Sequence, residues 1–234
     1  TPISDMLRLW TIDSGEEKKE SGTDRDLIPL ATPLMASGYT PSGMEFLTDK
    51  MKDFNMVPYS AASAGVDEMP RPLEAGGAVS ATLVTGDLKL GAVGTVTYVD
   101  KDHMVAFGHP FLDKGSSSYF MHNSYIFTVV PSRNIPFKLG SVGAEIGMVN
   151  EDRGSGISGL SGKVPESVRL HSSVLDEDTG RTQSLNVRMV QNERMLPMLS
   201  VTSVYNNMSN TLDRNGEGTV SLSYTLFPED LKKR

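Results

Sequence analysis

Val79-Ser80-Ala81-Thr82-Leu83-Val84, Val93-Gly94-Thr95-Val96-Thr97-Tyr98-Val99 and His103-Met104-Val105-Ala106-Phe107 decide the fold. In the first, Val79, Ala81 and Leu83 alternate with Ser80, Thr82 and Val84. In the second, Val93, Thr95, Thr97 and Val99 alternate with Val96 and Tyr98. A period of two in β-branched residues is the signature of a strand. Asp100-Lys101-Asp102 then turns the chain into the third run. Working outward, residues 125–130, 168–175, 184–190, 199–205 and 219–226 read as further strands. Asp176-Glu177-Asp178-Thr179-Gly180 makes a tight connection that predicts a hairpin.

One helix stands out upstream. Ser42 and Glu45 have the spacing of a capping box, and Met44, Leu47, Met51 and Phe54 form an apolar stripe ending before Pro58. Before it, Ile3, Met6, Leu7, Leu9 and Trp10 suit a short buried turn or strand. The charged run of residues 13–20 reads as a solvated loop, and Pro29 and Pro33 keep residues 27–35 extended. Residues 60–77 read as a linker or long surface loop. With no strand–helix–strand alternation visible, the expectation is a mainly β chain with one or two helices. Residues 75–234 would form a barrel-like domain, chymotrypsin-like in one version, with residues 1–74 packed on it as a helical and extended segment.

Composition narrows the function. The 234 residues carry 22 basic and 29 acidic side chains, a net charge of −7 without any basic block, which argues against a nucleic-acid binder. No apolar run approaches the ~20 residues of a membrane-spanning helix. The absence of cysteine excludes disulfides, thiolate metal sites and a cysteine nucleophile. A chain opening on Thr1-Pro2 without a signal pattern reads as a processed piece of something longer.

The motifs that could carry chemistry are few. Gly154-Ser155-Gly156-Ile157-Ser158-Gly159 has dinucleotide-loop spacing, but Gly162 and Pro165 interrupt the helix that such a loop requires, so it reads as a glycine turn between strands. No cofactor is implied. His103, His109 and His122, with Asp102 and Asp113 nearby, make no familiar metal spacing. His109 is held in Ala106-Phe107-Gly108-His109-Pro110-Phe111, a strand-end corner where an imidazole can serve as a general base. Asp152 with Arg153 is either an ion pair fixing a loop or an acid that orients a histidine; Asp113, four residues past His109, is a further acidic candidate. No Gly-x-Ser-x-Gly element exists, and Ser116-Ser117-Ser118 reads as a flexible turn. Asn207-Met208-Ser209 matches the glycan acceptor triplet.

Gly94-Thr95-Val96-Thr97-Tyr98-Val99-Asp100 followed by Ala106-Phe107-Gly108-His109-Pro110-Phe111 resembles the SpoIVB-type serine peptidases, in which such a strand leads to a Gly-His element carrying the catalytic histidine. The resemblance continues through Val130-Pro131-Ser132, Phe137-Lys138-Leu139 and Asp152-Arg153-Gly154-Ser155-Gly156-Ile157, covering residues 75 to 200 approximately. Thr1–Leu7 and Ala31–Gly38 are similar to segments that precede this domain in long bacterial envelope proteins. The family's Gly-Met-Ser-Gly-Ser-Pro nucleophile motif has no counterpart in residues 199–226, and Gly159-Leu160-Ser161-Gly162 only echoes it, too early in the chain. The resemblance therefore implies an exported envelope protein acting on, or binding, a protein or peptide, with His109 as the matching catalytic residue. Two expectations follow. One is a serine endopeptidase with His109 as base, Asp152 or Asp113 as acid and Ser161 as nucleophile. The other is a peptidase-like domain, a pseudoenzyme, kept as a binding or assembly module.

Overall fold

The computed structural model describes residues 1–10, 31–62, 70–131, 137–212, 214 and 216–227. The charged run of residues 13–20, and parts of the segments 27–35 and 60–77, lie outside them. The elements run α1 (Ile3–Leu7), β1 (Thr32–Ser37), α2 (Pro41–Met51), β2 (Met56–Ser60), β3 (Ala78–Gly86), β4 (Lys89–Asp100), β5 (His103–Ala106), β6 (Gly115–Val130) and β7 (Phe137–Arg153). After these come β8 (Gly156–Ser161), β9 (Ser167–Leu175), β10 (Thr182–Val190) and α3 (Leu196–Thr211).

The described residues are mainly β with three short helices. All ten strands join one sheet in the order β2-β1-β4-β5-β8-β7-β6-β3-β10-β9, and a further β3–β4 pairing closes β3, β4, β5, β8, β7 and β6 into a six-stranded ring. Strands β3 and β4 make this possible by dividing their edges. Residues 79–82 of β3 pair with β6 while 84–86 pair with β10, and residues 89–91 of β4 reach β1 while 96–100 reach β5. Register shifts in β3–β4, β4–β5, β6–β7 and β7–β8 bend the strands enough to close the ring. The expected 176–180 hairpin joins β9 and β10 in continuous register.

Met104, Met121, Phe120, Leu83, Leu90 and Ile157 are fully buried at its core. Two glycines make room for the methionines. A Cβ on Gly159 would sit 2.7 Å from Met104 Cε and 2.8 Å from Met121 Sδ, and one on Gly147 would sit 2.8 Å from Met121 Cε. The glycine stretch therefore serves packing. Gly154 and Ser155 turn β7 into β8, so a strand follows where a nucleotide loop needs a helix.

Five expectations need correction. First, β1, α2 and β2 form a strand–helix–strand unit with β1 and β2 parallel. Second, the cap of α2 is Thr40, whose Oγ1 accepts from Gly43 N at 3.0 Å; Ser42 lies inside the helix and shares a hydrogen bond with Ser209 at 2.6 Å. Third, residues 199–205 belong to α3, and fourth, residues 219–226 belong to no strand. Helix α3 docks through polar groups: the Asn206 side chain accepts from Thr40 N at 2.8 Å, and a Cβ on Gly43 would meet Asn206 Oδ1 at 2.1 Å. Asn207 is buried, its amide donating to Ser172 O and to Gln183 O, so the glycan triplet is closed to modification in the folded chain. Fifth, Ser116-Ser117-Ser118 opens β6 and is not a loose turn.

Candidate functional site

The segment that leads from β5 into the first residue of β6, residues 107–115, holds four residues of positive φ. Gly108 N donates to Ala106 O at 2.9 Å across Phe107, whose φ is 72°. That is a γ-turn of the rare, strained hand. Gly108 (φ 75°), Asp113 (φ 53°) and Gly115 (φ 75°) are also left-handed, a conformation that Phe and Asp adopt at a cost.

Several contacts hold these conformations. Phe107 N donates to Thr95 O at 3.0 Å, and the Phe107 ring lies on Gly94, where a Cβ would come within 2.2 Å of ring carbon Cδ1. The glycine that opens the Gly-Thr-Val-Thr strand is thus the seat for the ring beside the histidine. Gly94→Ala should cost about 2 kcal/mol by overpacking, read by urea unfolding, and should perturb the near-ultraviolet circular dichroism of the aromatic cluster. An unchanged midpoint and spectrum would contradict that role. Phe107 also packs against His109 (centroids 5.6 Å apart), and Phe111 against Tyr119 (5.6 Å).

Asp152, wholly buried on β7, is the organising group. Its Oδ1 accepts from Phe111 N at 2.7 Å, and its Oδ2 accepts from Leu112 N at 2.7 Å and from the Tyr119 hydroxyl at 3.2 Å. Burial pushes its carboxyl above the usual range, while the Leu112 and Phe111 amides and Tyr119 pull it back. Burial also raises the Tyr119 hydroxyl, with the Asp152 charge adding to it, so Tyr119 stays a donor. Arg153 pairs with Glu151 at 2.8 Å, which corrects the expected Asp152–Arg153 ion pair.

Of the three residues proposed as a triad, Asp152 lies beside the loop that carries His109 but spends its carboxylate on the loop backbone, and Ser161 lies at the other end of its strand. His109 is exposed, and its Nδ1 bonds Pro110 O at 2.8 Å. Because a carbonyl only accepts, Nδ1 carries the proton in that bond, and neutral His109 keeps Nε2 as an outward acceptor. Asp152 holds the backbone on the far side of Pro110. Ser161 ends β8, its N–H donating to Asp102 O at 2.7 Å. Its strand meets β5 with Ile157 opposite Ala106 and Leu160 opposite His103, so Ser161 lies toward the end away from His109. Four residues of strand separate Ile157 from Ser161, about 13 Å at ~3.3 Å per residue. Asp113 is exposed on the loop itself. Where the loop joins β6, a cleft of about 260 Å³ opens between Lys114, Ser116, Ser117, Ser118 and Tyr119 on one side and Val190, Gln191 and Asn192 on the other.

A second polar constellation, not anticipated as such, lies inside the protein. His122 on β6 is buried, its Nε2 bonding Thr85 Oγ1 at 3.0 Å while Nδ1 has no hydrogen-bond partner. Burial, with Lys89 and Arg188 nearby, lowers its pKa to about 3. Arg188 pairs with Glu145, which stands opposite His122 on β7. The imidazole is therefore neutral at ordinary pH. Among the described residues no three His, Asp or Glu side chains gather as a metal site, and no helix is long and apolar enough to cross a membrane.

Compared with protein-family models, curated proteins and solved structures, the chain matches none.

Proposed function

We propose that this chain is a SpoIVB-type peptidase-like domain of an exported bacterial envelope protein, without a working triad of its own, that binds a protein or peptide partner through the 107–115 loop. The observation that carries this reading is the engagement of Asp152. Its carboxylate is occupied by the Phe111 and Leu112 amides and Tyr119, so it orders the loop backbone and leaves the imidazole of His109 to a carbonyl. A loop held this firmly presents His109, Asp113 and Lys114 with little ordering entropy left to lose on binding. The adjoining cleft of about 260 Å³ is smaller than a typical small-molecule pocket of roughly 300–1,000 Å³.

An active endopeptidase is the second reading, favoured by one feature. The outward Nε2 of His109, with Nδ1 fixed by Pro110 O, is the arrangement a general base needs. Labelling of the folded protein with a fluorophosphonate serine probe, mapped by peptide mass spectrometry, separates the two. The expected result is no adduct above that on a heat-denatured control. An adduct on Ser161, or on any of Ser116–Ser118, that disappears in His109→Ala would overturn the binding-module reading in favour of the enzyme.

A further inference from the structure

Residues 216–227 leave helix α3 and join no helix or strand, although Thr219-Val220-Ser221-Leu222-Ser223-Tyr224-Thr225-Leu226 has the strict alternation of a half-buried strand. Val220, Leu222, Tyr224, Leu226 and Phe227 are 61–88% exposed. One row of four apolar side chains on a β-patterned segment is costly to leave in water and is an effective strand for pairing with a sheet edge.

The described sheet has two outer strands, β2 and β9. Strand β2 is 5 residues long and contains Pro58, which removes a ladder donor and blunts that edge. Strand β9 is 9 residues long, contains no proline, and among the described residues its one strand partner is β10, while Asn207 of α3 donates to Ser172 at its middle. Its side chains fall into two rows. Val168, Leu170, Ser172 and Val174 are half-buried, and Arg169, His171, Ser173 and Leu175 are exposed. Val168 and Leu170 already pack against the core and Ser172 meets Asn207 of α3, so the first row is a mostly apolar face on the side of α3 that stops at the edge of the sheet. A strand laid along β9 with Val220, Leu222, Tyr224 and Leu226 over that row would continue it, and would set Ser221, Ser223 and Thr225 beside the mostly polar row.

We infer that residues 219–227 of one copy add as an outer strand to β9 of a second copy, and that the reciprocal exchange makes a two-fold symmetric dimer. Reciprocity matters because it consumes both exposed segments and both β9 edges at once, leaving no open-ended assembly. Each exchanged segment brings Tyr224 and Phe227, aromatic side chains that bury roughly 150–250 Å² each, so two copies approach a standard interface of about 1,600 Å² once the aliphatic residues and backbone are added. The inference stands independently of the function proposed for the 107–115 loop.

The test uses the full chain. Sedimentation velocity should show a dimer, and Leu222→Pro, which removes a ladder hydrogen bond, should weaken it at least about tenfold while the far-ultraviolet circular dichroism of the ring is unchanged. The absence of native cysteine allows a direct assignment of partners. A chain carrying Ser173→Cys is mixed with chains carrying Ser221→Cys, Ser223→Cys or Thr225→Cys and oxidised gently. A disulfide-linked species of twice the mass from at least one mixture is expected. A monomer at all concentrations, no cross-link at any of the three positions, or cross-linking only when both cysteines lie in the same chain would overturn the inference; the last would place the strand on its own β9.

Discussion

Between pH 7 and pH 5 His122 should take about 2 kcal/mol from the stability of the folded protein, a loss that His122→Gln should abolish. The sign follows from where the proton goes. In the unfolded chain His122 titrates near its ordinary value of 6.5, whereas in the fold burial, Lys89 and Arg188 lower it to about 3. Between those two values the unfolded state binds a proton that the folded state refuses, so each unit of acidification costs about 1.4 kcal/mol, and the full window costs about 5 kcal/mol. The stabilisation is complete above pH 6.5 and is lost as pH falls toward 3.

The groups that face the imidazole add no titration of opposite sign. Glu145, opposite on β7, is paired with Arg188, and Thr85 on β3 is neutral. Asp152 works in the other direction: its carboxyl is raised by burial, so the fold binds that proton more readily than the unfolded chain and gains stability on acidification. Comparing His122→Gln with the parent at each pH removes that shared contribution. Glutamine keeps a neutral group that can reach Thr85 Oγ1, so the variant should be weaker by about 1 kcal/mol at pH 7 and should lack the roughly 2 kcal/mol loss that His122 gives the parent between pH 7 and 5 in urea unfolding. Equal slopes for both proteins would show that His122 is protonated in the fold.

The strands were legible because their side chains obey the simple rule: β3, β4, β5, β9 and β10 alternate or run apolar between turn residues. What hid α3 was the chemistry of its buried face. Leu199, Thr202, Ser203, Asn206 and Asn207 recur at helical spacing and are all buried, but four of the five are polar, while Val201, Val204 and Tyr205 supply a false β signal. Polar groups can face the core here because Ser203 donates to Leu199 O, Thr202 to Met198 O, and the two asparagines bond to neighbouring elements. The parallel β1–α2–β2 unit was missed for a related reason, since Pro33 and Pro58 sit inside its two strands. At the site, the corner carrying His109 was readable from Gly108 and Pro110. The surroundings of Asp152 were not, because its partners are backbone amides of residues 111 and 112, and amides carry no sequence signature. The 219–226 alternation is a strict strand pattern that pairs with no strand among the described residues.

Asp152→Ala should lower stability by about 4 kcal/mol, whereas His109→Ala, which removes only an exposed side chain bonded to the adjacent carbonyl, should stay within about 1 kcal/mol. The asymmetry reverses what a triad would lead one to expect, where the histidine and its acid act on each other. Removing the Asp152 carboxylate strands three donors in or near the core: Phe111 N, Leu112 N and the Tyr119 hydroxyl. Each buried donor left unpaired costs about 1–3 kcal/mol. The left-handed residues Phe107 and Asp113 then have less to hold them, and the loop should relax toward ordinary backbone conformations. Asp152→Asn retains one oxygen but turns an amide N–H toward a donor, so an intermediate loss of about 2 kcal/mol is expected. Hydrogen exchange distinguishes loop organisation from general weakening. In Asp152→Asn, under conditions where both proteins are fully folded, the amides of Phe111 and Leu112 should exchange at least tenfold faster while those of β3 and β6 keep their protection. Equal acceleration throughout the ring would mean that Asp152 supports the core as a whole. Unchanged protection at Phe111 and Leu112 would mean that the loop is held by Phe107 on Gly94 without it, and would return Asp152 to the candidates for orienting His109.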